Sequence, residues 1–300
     1  MSKLKRVVNI VIVLSVLLFS CNKKQEKVFT ENDINIIPKP VEVTLKTGSF
    51  SIDNDTKIVV HDSLKNIANI LVDKLETSGV AIEFSDNSPK GVIEFVANEK
   101  FENEAYELLV NEEKVVITAN SYGGFLYGVQ SILQLLPAEI YGNETNADLI
   151  LPAVEIKDKP RFGYRGLMLD LSRHFFTKEY IIKTLDRLSM HKMNVLHLHL
   201  VDDQGWRMEI KKYPKLNEIA AWRVDQEDKG WNAREDNDPN EKGTYGGFLT
   251  QKELKEIVVY AADRNIEVIP EIEMPAHVTS VMAAYPHLTC HEKPVAVPSG

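Results

Sequence analysis

The chain has 300 residues, 44% hydrophobic and 26% charged, an ordinary globular composition with apolar material for about two domains. Its formal net charge is −9, and the first twenty residues carry only positive side chains, so the remainder is more acidic still. A body of that sign repels phosphate backbones, and no basic stripe interleaved with aromatics offsets it, which excludes nucleic acid as a partner.

Lys3, Lys5 and Arg6 precede an apolar run from Val7 to Phe19. The run is short for a transmembrane span and suits an export signal. It closes with Leu18-Phe19-Ser20-Cys21, which resembles a bacterial lipobox apart from the bulky Phe19. Residues 1–20 are therefore expected to be a lipoprotein signal peptide, Cys21 the acylated residue and 21–33 a polar tether. Ordinary signal cleavage with Cys21 incidental is the alternative. The lipoprotein reading places the protein in the cell envelope, periplasmic or at the surface, with the membrane as a partner through the anchor. Cys290 is then left without a partner, so packing rather than a disulfide framework must hold the core.

Ile36-Ile37-Pro38-Lys39-Pro40 reads as an extended entry, because proline opposes helix in itself and in the residue before it. Short strands are expected at Val41–Leu45, Lys57–Val60 and Val92–Val96, with a hairpin made of Tyr106–Val110 and Val115–Ala119. Helical spacing runs over Ser63–Ser78 and Tyr122–Leu136, the second ended by Pro137. These elements predict a small α/β sandwich over residues 34–155, with helices packed on one sheet. Residues 138–160, with Pro152 and Pro160, read as a connector.

From residue 160 the pattern changes to strand–helix repeats: strand Tyr164–Leu171, helix Lys178–His191, strand Asn194–Val201, helix Gln251–Asn265 and strand Ile266–Ile272. The strands lean on branched apolar residues, as buried parallel strands do. Two architectures compete, an eight-fold (β/α)8 barrel and an open doubly wound sheet. The second is weakened because no glycine-rich phosphate loop follows the first strand. A complete barrel needs about 250 residues, so residues 160–300, with three visible strands, are expected to be the truncated start of one.

In a barrel the loops at the carboxyl ends of the strands build the active site. Those loops here carry Asp170-Leu171-Ser172-Arg173-His174, His199-Leu200-Val201-Asp202-Asp203-Gln204-Gly205-Trp206 and Glu271-Ile272-Glu273-Met274-Pro275-Ala276-His277. Acids, an arginine, a tryptophan and a histidine on one face suit a sugar, whose hydroxyls bind polar groups and whose apolar side meets a ring. Each residue alone also has a plainer reading. Asp202 and Asp203 would cap a helix, Arg173 would pair on the rim, Trp206 would be core and His277 would cap a helix. His197 and His199 point to one side of their strand and could be metal ligands, although in an apolar strand they read better as packed, hydrogen-bonded histidines.

Taken together, the segments Arg165–Phe175, His197–Arg207 and Pro270–His277 resemble the β-N-acetylhexosaminidases of glycoside hydrolase family 20. Tyr122-Gly123-Gly124-Phe125-Leu126-Tyr127-Gly128, with Gln130 and Leu133, resembles the small domain that precedes their barrel, and the polar insert Arg223–Lys242 is typical of bacterial members. The resemblance implies exo-hydrolysis of terminal N-acetylhexosamine from glycans or chito-oligosaccharides by a substrate-assisted retaining mechanism that needs no metal or cofactor. By the same resemblance Arg173 binds the hydroxyls of the terminal sugar, and Asp202 and His277 form the network that tunes the acid. Trp206 and Asp203 serve as wall or supporting residues. The family's acid is the Glu of a Gly-Gly-Asp-Glu motif, which does not occur in this sequence; Gly123-Gly124 and Gly246-Gly247 are each followed by Phe. The acid is expected downstream of Gly300, and this chain alone is expected to be inactive. A non-catalytic glycan-binding lipoprotein is the competing reading, and a metal-dependent hydrolase using His197 and His199 a third.

Overall fold

A computed structural model describes residues 27–88, 90–142 and 148–300. The signal peptide, Cys21 and the first part of the tether lie outside the described residues. Residues 34–300 form one compact unit.

That unit begins with β1 (Glu42–Ser51), β2 (Lys57–Val59), α1 (Lys65–Thr77), β3 (Glu83–Phe84), β4 (Val92–Ala97), β5 (Tyr106–Val110), β6 (Lys114–Ala119), α2 (Tyr122–Leu135) and β7 (Ile150–Asp158). The strands make one seven-stranded mixed sheet in the order β1-β7-β5-β6-β4-β2-β3. The expected β5–β6 hairpin is present, with Tyr106 opposite Ala119. Alternation along β6 buries Val115, Ile117 and Ala119 on one face. There α1 and α2 lie against each other, burying Leu71, Leu75, Leu126 and Ile132. The opposite face carries charge: Lys114 pairs with Glu94, Lys157 with Glu107 and Lys46 with Glu155. Helix α2 approaches the sheet so closely that a Cβ at Gly128 would lie 2.5 Å from Ile117 Cγ2.

The stretch read as a connector differs. Residues 150–158 are β7, an interior strand between β1 and β5. Pro152 is tolerated because it falls opposite Ser49, where the β1 register shifts between Leu45 and Ser49 and the ladder is already interrupted.

The second half contributes β8 (Gly166–Asp170), α3 (Lys178–Met190), β9 (Val195–His199), the two-residue strands β10 (Val201–Asp202) and β11 (Gly205–Trp206), α4 (Lys215–Glu218), β12 (Trp222–Arg223), β13 (Tyr245–Gly246), α5 (Gln251–Ala262), β14 (Glu267–Glu271) and α6 (Thr279–Ala284). Strands β14, β9 and β8 are parallel neighbours in that order. Leu196 and Leu198 are buried beneath α3 and α5, through Ile181, Leu185, Leu188, Ile257 and Ala261. Helices α3 and α5 touch each other, so both cover one face of this sheet. A doubly wound sheet would put helices on both faces, so the arrangement is that of a barrel. The insert between β12 and β13 is closed by the pairs Trp222–Gly246 and Arg223–Tyr245.

Candidate active site

The parallel register fixes the site. Asp170, His199 and Glu271 are mutual partners across β8, β9 and β14, so they form one row at the carboxyl ends of the strands. Two residues earlier on the same face lie Met168, His197 and Ile269. This face is opposite the one that Leu196 and Leu198 bury under the helices.

Asp170 shapes the turn that presents Arg173. One carboxylate oxygen accepts from the backbone N–H of Ser172 and of Arg173, each at 3.0 Å, and the other accepts from Arg173 Nη1 at 2.9 Å. Arg173 also pairs with Asp202 through Nη2. Its side chain remains about a third exposed, which leaves the guanidinium able to meet a ligand. Burial works against the charge of Arg173, but Asp170 and Asp202 outweigh it and hold its pKa above the usual arginine value.

Asp202 is the centre of the cluster, with only 2% of its side chain exposed. Oδ2 faces His199 Nε2 at 3.0 Å, and Oδ1 faces His277 Nδ1 at 3.2 Å. Asp203 lies 3.5 Å from His277 Nδ1 and accepts from both the backbone N–H and the hydroxyl of Thr279, at 3.0 and 2.7 Å. Burial raises the pKa of Asp203, but those Thr279 bonds and His277 overcome it and leave the carboxyl below its ordinary value. Asp203 thus ties down the loop that carries His277, whose backbone is left-handed at φ 53°. The helix-capping reading fits Asp203, at the start of α6, and not Asp202.

Arg173, Asp202, Asp203 and His277 therefore converge as the sequence suggests. Trp206 does not join them. Its ring is buried in the apolar cluster beneath the loops, and Nε1 donates to the Met208 carbonyl at 2.6 Å. Its apolar bulk is worth more to that core than at a wet rim. His197 and His199 bracket one carboxylate: His197 Nε2 is 2.5 Å from Glu271 Oε2, and His199 Nδ1 is 3.1 Å from Glu271 Oε1. The packed, hydrogen-bonded reading of this pair describes them. Sequence reasoning passed over Asp170 and Glu271 as site members, although the Asp-x-Ser-Arg spacing signals an Asp-anchored turn. Buried Arg207 was also missed; its five donors bind the carbonyls of Leu171, Ser172, Gln204, Ala221 and Gly247.

Singly wound βα units with acids, an arginine and a histidine gathered at the strand ends are the arrangement with which a barrel builds a polar site. Residues 162–299 match the model of the glycosyl hydrolase family 20 catalytic domain, and residues 33–159 that of the family's domain 2. The chain belongs to glycoside hydrolase family 20. It is 42% identical over 285 residues to a beta-hexosaminidase of Porphyromonas gingivalis, covering 91% of this chain and 35% of that protein. It is 36% identical to the N,N'-diacetylchitobiase of Vibrio harveyi, covering 89% of this chain and 30% of the relative. Among solved structures it resembles the Streptomyces plicatus N-acetyl-beta-hexosaminidase in complex with Thio-NAglucal, with TM-score 0.80 and 32% identity over 92% of this chain and 53% of that one. The chain thus spans about a third of the length of these curated relatives and about half of that solved chain.

Proposed function

We propose that these residues belong to an exo-acting β-N-acetylhexosaminidase that removes terminal non-reducing N-acetylhexosamine from glycans or chito-oligosaccharides. The observation that carries this reading is the junction of Arg173, Asp202 and His277 at the strand ends of a family 20 barrel domain. Arg173, braced by two carboxylates, offers its exposed N–H groups to the sugar hydroxyls. Asp202 and His277 form a hydrogen-bonded chain that would back a general acid. In the substrate-assisted scheme the substrate's own acetamido oxygen attacks the anomeric carbon while the acid protonates the leaving oxygen. Gly-Gly-Asp-Glu does not occur in these 300 residues, which span about a third of the length of the curated relatives, so this reading assigns the acid to no residue of this chain.

The complete gene product should hydrolyse an aryl N-acetyl-β-glucosaminide without added metal. Arg173→Ala should lower kcat/KM about 10- to 100-fold, the size expected for losing a charged hydrogen bond. Full activity in that variant would remove Arg173 from the site, and a complete product that binds the sugar without cleaving it would favour a glycan-capturing protein.

We also propose that the protein is held to a membrane of the cell envelope by acylated Cys21, a reading supported by the Leu18-Phe19-Ser20-Cys21 sequence after a basic and apolar leader. Wild type should sediment with membranes and Cys21→Ala should appear in the soluble fraction. Equal partition of the two would end this reading.

A further inference from the structure

The hydrogen-bonded chain that contains Asp202 does not end there. His199 is held between two carboxylates: Nε2 lies 3.0 Å from Asp202 Oδ2 and Nδ1 lies 3.1 Å from Glu271 Oε1. Glu271 continues to His197 through its other oxygen. A neutral imidazole has one N–H, and could satisfy only one of its two carboxylates. The other ring nitrogen would then set a lone pair against a carboxylate oxygen at hydrogen-bond distance, with 7% of the side chain exposed and little water to mediate. An imidazolium satisfies both.

We propose that His199 is a positioning residue: as an imidazolium clamped by Glu271, it holds one Asp202 oxygen in place and leaves the second directed at His277. This rests on the hexosaminidase reading only for its effect on rate, since the clamp itself is a property of the described residues. The charges that face His199 come from three elements. Asp170 ends β8 and Arg173 follows it, with Arg173 Nη1 3.4 Å from His199 Nε2. Asp202 follows β9, where His197 also lies, and Glu271 ends β14, with Glu273 placing a carboxylate oxygen within 4.8 Å of the facing atoms of His199 and Glu271. Four carboxyl groups, Asp170, Asp202, Glu271 and Glu273, therefore lie around the two basic groups Arg173 and His199, and the surplus negative charge supports the second proton on His199. Burial opposes protonation, but the hydrogen bonds to Asp202 and Glu271 prevail and the His199 pKa moves above its ordinary value.

A charged donor at this distance holds a carboxylate oxygen more firmly than a neutral donor does. His199→Gln preserves a donor toward Asp202 and removes the charge. In the complete enzyme kcat should fall about 10-fold while KM changes little, because the variant loosens the Asp202–His277 chain behind the acid and leaves the exposed face of Arg173 for the sugar. A histidine that merely filled space would not split kcat from KM in this way.

Imidazole nitrogen NMR of the wild-type complete protein at pH 7 gives a second test. Both His199 nitrogens should carry protons, and the resonances should move to those of a neutral ring only above the ordinary histidine range. A neutral His199 at pH 7, or a His199→Gln variant with unchanged kcat, would overturn the proposal. If the variant fails to fold, the wild-type spectrum decides. If the wild type has no hexosaminidase activity, the function reading fails while the spectrum still tests the clamp.

Discussion

Arg207 uses each of its five N–H groups on a main-chain carbonyl: Nε on Leu171, Nη1 on Ala221 and Gly247, Nη2 on Ser172 and Gln204. Those carbonyls belong to the loop after β8, the loop after β9 and both flanks of the insert. One planar guanidinium therefore fixes the backbone immediately beside Arg173 and beneath Asp203. Burial, with the Arg223 guanidinium nearby, pulls the Arg207 pKa down to about 9, so its charge depends on those carbonyl dipoles. Arg207→Met should lose at least about 3 kcal/mol of stability, because several buried acceptors go unpaired at 1–3 kcal/mol each. Arg207→Lys should recover little, since an ammonium cannot reproduce the five-way fork. Urea unfolding of the two variants checks both statements; a loss in Arg207→Met below about 1 kcal/mol would mean that water replaces the guanidinium freely.

At the scale of elements, the β12–β13 ladder depends on glycine. Gly246 has φ 151°, and a Cβ there would lie 2.0 Å from the Ala221 carbonyl oxygen, an atom that Arg207 already holds. Gly246→Ala should therefore cost about 2 kcal/mol or more, seen as a lower Tm. Gly247→Ala should cost less, because the atoms it meets belong to the Phe175 ring, which has more room to shift than backbone. In the sequence this Gly-Gly pair was informative only as a motif that failed to match; its packing role depends on Ala221 and Phe175, which are distant in sequence. The same limit explains other misses. The β5–β6 hairpin, α2 and the three parallel strands were legible because apolar periodicity is local. Strand β7 was not, since Pro152 argues against a strand until the β1 bulge opposite it is known. Arg173, Asp202, Asp203 and His277 were legible from three polar clusters at three strand ends. The His199–Glu271 clamp was not, because it depends on the register of β9 against β14 rather than on either strand's own residues.

For the molecule as a whole, the small domain and the barrel strands are joined by buried polar contacts. Lys192, at the turn before β9, is 4% exposed and left-handed at φ 58°. Its ammonium donates to Asp158 and to the Tyr106 hydroxyl, each at 2.8 Å, and that hydroxyl also bonds Ser131 at 2.6 Å. A second cluster sets Arg165 against Glu104, with Tyr127 and Asn265 completing it. Both sit at the amino-terminal ends of the parallel strands, opposite the active-site loops, so they bear on stability and domain coupling rather than on substrate. Removing one partner of a buried ion pair strands the other, at about 3–5 kcal/mol, whereas replacing both with apolar residues is often neutral. Lys192→Met should therefore lower Tm substantially, and Lys192→Met combined with Asp158→Leu should recover much of the loss. If the clusters also make the two parts unfold together, Lys192→Met should split a single calorimetric transition into two, the double variant restoring one. A loss in the double variant equal to the sum of the Lys192→Met and Asp158→Leu losses would show instead that the two residues act independently, leaving the coupling to the Arg165 cluster and the apolar contacts.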